Sequence, residues 1–299
     1  MVIRTALNED LDRIANLCAE ALTSDADEAA RLPELLWESP TGRPDLKLVA
    51  EEDQTIVGAA LAALRVEQDG PPAGYIDLLA VAPAAQRRGY GRSLLARAEE
   101  VLKRLGAVEV RLGGNAPCYA WPGIDLNYTA AIELAESSGY EPWYEAFNMS
   151  VDLNAASLDT TTAERRFAES GIAIRPLANS DEPHFSSWVA EHWNADWAWE
   201  ATRALVRTQA RCYVATRGSD VIAFAACGAG RPSWFGPMGT VPAEQRQGLG
   251  AILLKRCLTD QRSAGMSRSF IAWVGPAEFY NRSVGAEVDR VFRLFKKVV

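Results

Sequence analysis

Histidine is nearly missing from this 299-residue sequence, which has only His184 and His192. Its five cysteines, Cys18, Cys118, Cys212, Cys227 and Cys257, are odd in number and scattered, with no close pair. A zinc site needs clustered thiolates and imidazoles, and a disulfide framework needs paired spacing, so neither is expected and no metal is assigned. Positive charge is also short: 31 Lys and Arg stand against 39 Asp and Glu, a formal net charge of −8. That balance argues against a nucleic-acid or anionic-membrane surface and favours cationic partners such as amines. No apolar run is long enough to cross a bilayer. The chain opens on the strand-like Val2-Ile3-Arg4-Thr5 without a charged leader, so the expected compartment is the cytoplasm.

What is present is ordinary globular composition, 48% hydrophobic and 23% charged, over a length comfortable for two domains. A short glycine turn occurs twice, as Pro83-Ala84-Ala85-Gln86-Arg87-Arg88-Gly89-Tyr90-Gly91 and as Pro242-Ala243-Glu244-Gln245-Arg246-Gln247-Gly248-Leu249-Gly250. Each copy follows an apolar run (Ile76 to Val81, Trp234 to Val241) and precedes a helix with a Leu-Leu pair, Leu94-Leu95 or Leu253-Leu254. A strand, a tight glycine turn and a helix N-terminus make an anion site, because free N–H groups and the positive end of the helix dipole converge there. Both turns therefore read as pyrophosphate cradles.

The elements around each turn come in the same order. The first half reads as a strand at Val2 to Ala6, a helix carrying Leu11, Ile14, Leu17, Cys18 and Leu22, and a second helix over 27–37. A meander of Lys47 to Glu51, Ile56 to Leu64 and Tyr75 to Val81 follows. After the turn come a helix stopping at Gly106, a strand at 108–112, a helix over 128–138 and a closing strand over 143–153. The second half repeats this from Ile172-Ala173-Ile174-Arg175, ending on a short helix at Glu278 to Val284 and a strand at Val288 to Lys297. One constant offset matches Pro83 with Pro242, Gln86 with Gln245, Gly89 with Gly248 and Gly91 with Gly250. Two tandem copies of one module account for this, with domains at 1–153 and 171–299 and a polar, threonine-rich linker at 154–170.

A dinucleotide fold would need a third glycine and a parallel βαβ unit, whereas antiparallel meanders precede both turns. A Walker-type loop is excluded because Gly-Lys-Ser/Thr is absent. The strings Gln86 to Gly91 and Gln245 to Gly250 instead resemble the acyl-CoA-binding signature of the GNAT acyltransferase superfamily, Gln/Arg-x-x-Gly-x-Gly/Ala. The layout is similar to that of the family's tandem two-domain members, mycothiol synthase among them.

The resemblance implies an α/β (α+β) fold of two tandem GNAT-like modules, each a mostly antiparallel mixed sheet flanked by helices. It implies acetyl-CoA as cofactor and N-acyl transfer to a small-molecule or peptide amine acceptor, by a monomer or homodimer without nucleic-acid or membrane partners. The cofactor-binding residues it marks are Leu79, Val81, Gln86, Arg87, Arg88, Gly89, Tyr90 and Gly91, then Met238, Thr240, Gln245, Arg246, Gln247, Gly248, Leu249 and Gly250. An N–H near Leu79 or Met238 would polarise the acyl carbonyl as an oxyanion hole does.

Tyr280 falls at the family's tyrosine position before the last-strand glycine, within one residue, and a protonated phenol there would protonate the leaving thiolate. Leu134 or Ala135 stands at that place in the first half, so the chemistry is expected in the C-terminal domain. The base stays open among Asp77, Glu278, Asp196 and His192. Trp188, Trp193, Trp197 and Trp199 form either an acceptor wall or core packing, and Tyr119, Trp121 and Asp125 raise the same question. An acyl-CoA-binding sensor without turnover is the alternative function.

Overall fold

Strand pairing over long sequence separations decides where this chain divides. The computed structural model describes residues 2–25, 27–66 and 70–299. In the first half the main elements are β1 Val2–Thr5, α1 Leu11–Ala21, α2 Leu32–Trp37, β2 Gly42–Glu52, β3 Thr55–Arg65, β4 Ala73–Val81, α3 Tyr90–Arg104, β5 Glu109–Leu112, β6 Ile124–Asp125, α4 Thr129–Ser137 and β7 Glu141–Asp152. The second half continues with α5 Thr161–Glu169, β8 Ile172–Pro176, α6 Glu182–His192, α7 Ala195–Thr202, β9 Arg211–Arg217, β10 Asp220–Cys227, β11 Trp234–Thr240, α8 Leu249–Ser263, β12 Arg268–Ile271, α9 Ala277–Val284 and β13 Glu287–Val298.

Two compact units result, Met1–Ala146 with Val291–Val299, and Phe147–Arg290. Each takes its closing strand from the other half of the sequence. In the first unit the end of β13 pairs antiparallel with β5, Phe295 opposite Leu112 and Val298 opposite Glu109. In the second the end of β7 pairs with β12, Arg268 opposite Asp152 and Ile271 opposite Met149. Grouped by packing, these units differ from the domains at 1–153 and 171–299 expected from the sequence. The stretch expected as a linker carries α5, whose Glu164 receives Arg256 Nε and Nη2 at 2.7 and 2.6 Å.

In the first unit β1, β2, β3 and β4 pair antiparallel in turn, and β4 pairs with β5 in parallel. Helix α3 lies across this sheet because Leu94, Leu95, Ala98, Val101 and Leu102 recur on one face, and all are buried. They meet Leu46, Leu48, Ala60, Ala62 and Ile76 in one apolar core. Each buried leucine there contributes about 2 kcal/mol of transfer free energy. Gly74 lets α3 approach closely, since a Cβ would meet Leu102 Cδ1 at 2.6 Å. The helix ends at Gly106, whose φ of 94° suits glycine, with Lys103 and Arg104 complementing the dipole in the last turn.

The second unit repeats the pattern, with β8, β9, β10 and β11 antiparallel and β11 beside β12 in parallel. Ile252, Leu253, Leu254, Cys257 and Leu258 of α8 are buried against Ala223, Ala225 and Phe235. Both units are thus mixed α/β layers with mostly antiparallel strands. Among the described residues, no helix is long and apolar enough to cross a membrane.

Candidate active site

Strand β4 keeps its partner β5 as far as Ile76 opposite Leu112 and runs on to Val81 with no further strand partner on that side among the described residues. A register shift falls at the same place on its other edge. Leu61 faces Leu78 and Ala62 faces Ile76, so Asp77 is the extra residue of a bulge. The gap opens into a cavity of about 910 Å³ lined by residues 76–81, Leu112, the glycine turn, the end of α1 and the first turns of α4.

The turn forms one wall. Arg87 has φ 62° and Gly89 φ 91°, and Gly89 stands as N-cap of α3 without a side-chain cap. The first N–H groups of α3 are thereby left without an intrahelical partner beside the turn, an arrangement whose amides and helix dipole suit an anion. A Cβ at Gly89 would meet nothing within 4 Å, so glycine is needed there for its dihedral angle; at Gly91 a Cβ would press Leu134 at 3.3 Å. Gln86 Nε2 donates to Val81 O at 3.2 Å and ties the turn to its strand. Arg87 pairs with Glu133 at 2.9 Å, both side chains exposed. Seven of the eight residues marked by the sequence in this half line the cavity: Leu79, Val81, Gln86, Arg87, Gly89, Tyr90 and Gly91. Arg88 instead holds both oxygens of Glu52 and lies over the Tyr90 ring.

The opposite wall is polar and buried. Asp77 is 7% exposed, and burial pushes its carboxyl up to about 8 against the opposing pull of the Asn115 hydrogen bond and the Arg65 charge. Asn115 Nδ2 donates to Asp77 Oδ2 at 2.9 Å. Asp25 receives the Trp121 indole N–H at 3.2 Å and the Tyr128 hydroxyl at 3.1 Å, and that hydroxyl in turn accepts the Ser24 N–H at 3.0 Å. Burial and the Asp25 charge push Tyr128 up to about 12. Trp121, Asp125 and Tyr128 line the cavity. Asp25, Asn115, Tyr128 and Thr41, whose Oγ1 lies 3.1 Å from Asn115 Nδ2, are not singled out by the sequence. Their signal is pairwise and nonlocal, except that Tyr128 stands just before the α4 pattern.

The second unit builds the same turn on different surroundings. Arg246 has φ 61°, Gly248 φ 101°, and α8 also starts without a side-chain cap. Gln245 Nε2 donates to Thr240 O at 3.0 Å, as Gln86 does to Val81 O. Gln247 binds Glu244, Leu249 is buried in the core, and Met238 Cε lies 3.1 Å from a Cβ placed on Gly250. The bulge recurs between Ala225–Met238 and Cys227–Phe235, but here the strand supplies Gly236 and Pro237. Neither offers a carboxylate, and Pro237 has no N–H.

A Cβ on Gly239 would overlap the Trp193 indole. Trp188, Trp193 and Trp197 gather around Phe224, so these rings serve core packing, while Arg203 stacks over Trp199. Tyr280 is 7% exposed, packs edge-on against Phe235 and Phe279, and is pushed up to about 12 by burial. Of the other base candidates, Glu278 is exposed and paired with Arg282, and His192 Nδ1 lies 2.9 Å from Trp188 O. Asp196 sits on α7, where burial, with the Asp196 charge adding to it, pushes Glu200 up to about 8. Among the described residues no group of His, Cys, Asp and Glu is arranged to hold a metal.

A strand–bulge–turn–helix unit built twice defines an acetyltransferase-type fold. The family model for the acetyltransferase (GNAT) family matches residues 9–121 and again 173–285, and the chain belongs to that family. Its solved neighbours share the fold at low identity. A fungal glucosamine N-acetyltransferase region within a multi-domain β-N-acetylglucosaminidase aligns with TM-score 0.77 and 19% identity; the alignment covers 99% of this chain but 38% of that one. A GCN5-related N-acetyltransferase from Sphaerobacter thermophilus aligns at 0.65 and 18%, covering 99% and 95% of the two chains. A tandem GNAT protein from the clavulanic acid biosynthesis pathway aligns at 0.70 and 16%, covering 99% and 98%. No curated protein sequence matches the chain.

Proposed function

We propose that this protein is an N-acyltransferase moving an acetyl group from acetyl-CoA to the amine of a small-molecule or peptide acceptor, with its chemistry in the first unit. The observation that carries this is one cavity lined both by the uncapped start of α3 and by Asp77, the buried residue of the β4 bulge. The residues fit such a cofactor: the turn offers N–H groups to a pyrophosphate, and the gap beyond Ile76 and Leu112 offers unpaired strand edge to an amide-rich arm. Acetyl-CoA bound there would supply a thioester carbonyl open to amine attack, with CoA leaving as the thiolate and taking up the second proton that the nitrogen gives up as it becomes an amide.

The protein's own part is proton handling and placement. Asp77, as carboxylate, takes the proton that the attacking ammonium must lose. A base with a value near 8 is matched to that task near neutral pH. Trp121, Tyr128 and Asp125 face the acceptor side and hold a polar or cationic molecule by ring contact and charge. This reading moves the chemistry from the second unit, to which Tyr280 pointed, into the first. The second unit keeps the turn, and with it the capacity to hold a CoA phosphate group.

The test is free CoA release with acetyl-CoA and an amine panel that includes amino sugars, since one fold neighbour is a glucosamine N-acetyltransferase. The expected result is CoA release matched by acetylated amine in the mass spectrum. Tight CoA binding with no product from any amine would favour the sensor.

A further inference from the structure

Behind Asp77 lies a polar chain that the proposed reaction does not by itself require. Asn115 is 2% exposed, in the loop after β5, and its Nδ2 is shared between Asp77 Oδ2 at 2.9 Å and Thr41 Oγ1 at 3.1 Å. Thr41 Oγ1 in turn lies 3.0 Å from Ser39 Oγ, and Ser39 is buried. Both amide hydrogens of Asn115 are thus committed, while its Oδ1 is buried with no hydrogen-bond partner among the described residues. An orphaned buried acceptor is costly and calls for an explanation.

We infer that Asn115 is a positioning residue for Asp77, its amide held by Thr41 so that it orients the carboxyl and sets the pH range in which that carboxyl takes up a proton. The inference rests on Asp77 being the base of the proposed reaction. In the arrangement seen, the amide donates to Asp77 and favours the carboxylate. Turned by half a rotation about its terminal bond, the same amide would present Oδ1 to a protonated Asp77 and to the Thr41 hydroxyl. That turn would leave both N–H donors without the partners they now have, so the arrangement seen, with a charge-assisted bond to the carboxylate, is the favoured one and holds the midpoint down. Thr41 serves either orientation, because a hydroxyl both donates and accepts.

Few charges compete for this control. On β3, Arg65 favours the carboxylate. On β5, Glu109 and Arg111 pair with each other at 2.7 Å. Glu20 at the end of α1 and Arg92 on α3 line the cavity that Asp77 also lines.

Asn115→Leu and Thr41→Val test the inference by two readouts, the carbon-13 titration of the Asp77 carboxyl, assigned with Asp77→Asn, and the pH profile of kcat/KM. Asn115→Leu should raise the Asp77 midpoint by about one unit, and Thr41→Val should move it the same way by less. The acid limb of the rate profile should follow. Melting temperatures that fall while the Asp77 midpoint stays fixed in both variants would overturn the inference and leave Asn115 structural. A midpoint that moves while the rate profile does not would uphold the link between Asn115 and Asp77, and would instead count against Asp77 as the base.

Discussion

Asp77 and Gly236 occupy the same bulge in two equivalent strands, at the offset that also matches Pro83 with Pro242. The copies share the glycine turn and differ at this position, a carboxylate in one and no side chain in the other. A repeated scaffold with one chemically equipped copy follows from this contrast.

The raised Asp77 value has a consequence for stability. The folded protein holds the proton up to about pH 8, whereas an unfolded aspartate loses it near pH 4, so between those values stability falls as pH rises. Asp77→Asn removes this cost. Thermal melts should show the variant gaining on the wild type from pH 5 to pH 9, and a constant difference across that range would count against a buried, proton-bearing Asp77.

The ion pair at the start of the chain predicts the opposite slope. Asp10 accepts Arg4 at 2.6 and 3.0 Å and the Leu7 N–H at 2.8 Å, and the Arg4 hydrogen bond lowers its carboxyl to about 2. A lowered carboxyl gives stability that is present above about pH 4 and lost as pH falls through about 2. Asp10→Asn should cost about 2 kcal/mol in urea unfolding at pH 7, a difference that shrinks toward pH 2.

The two glycine turns should separate by function. Alanine at Gly89 or Gly248 places a side chain at φ 91° or 101°, and each should cost about 1 kcal/mol in thermal unfolding. Aspartate adds a negative charge where an anion is to bind. Calorimetric titration with CoA should lose tenfold or more in affinity at the first-unit site in Gly89→Asp. Acetyl transfer should survive Gly248→Asp, and its loss there alone would return the chemistry to the second unit.

Trp193 packs on β11 of the second unit at Gly239, where a Cβ would overlap its ring. Trp193→Ala should cost about 3 kcal/mol in denaturant unfolding, because the ring packs on Gly239, Phe224 and its neighbouring tryptophans. CoA release should stay within twofold of the wild type once stability is matched by working at low temperature.

The sequence made local features legible and left nonlocal ones hidden. Both turns, both meanders and the stripes of α3 and α8 were readable, since glycine dihedrals and a 3.6-residue period act over a few residues. The exchange of closing strands was not, because the stretches around 143–153 and 288–297 read alike and only pairing with β5 or β12 distinguishes them. Asp77 could be named as an acid on a strand, but not as a bulge residue, which needs the register of β3. Asn115 and Thr41, 74 positions apart, meet only after folding. The tryptophans of α6 and α7 could wall a site or fill a core, and their gathering around Phe224, with the approach of Trp193 to Gly239, decides for the core.

The most direct test compares Asp77→Asn and Tyr280→Phe in one CoA-release assay at pH 8, with folding checked by circular dichroism. Asp77→Asn should lower kcat/KM by about 10²- to 10⁴-fold, the range for losing a positioned base, with Tyr280→Phe close to the wild type. A collapse in Tyr280→Phe with Asp77→Asn unaffected would contradict the account.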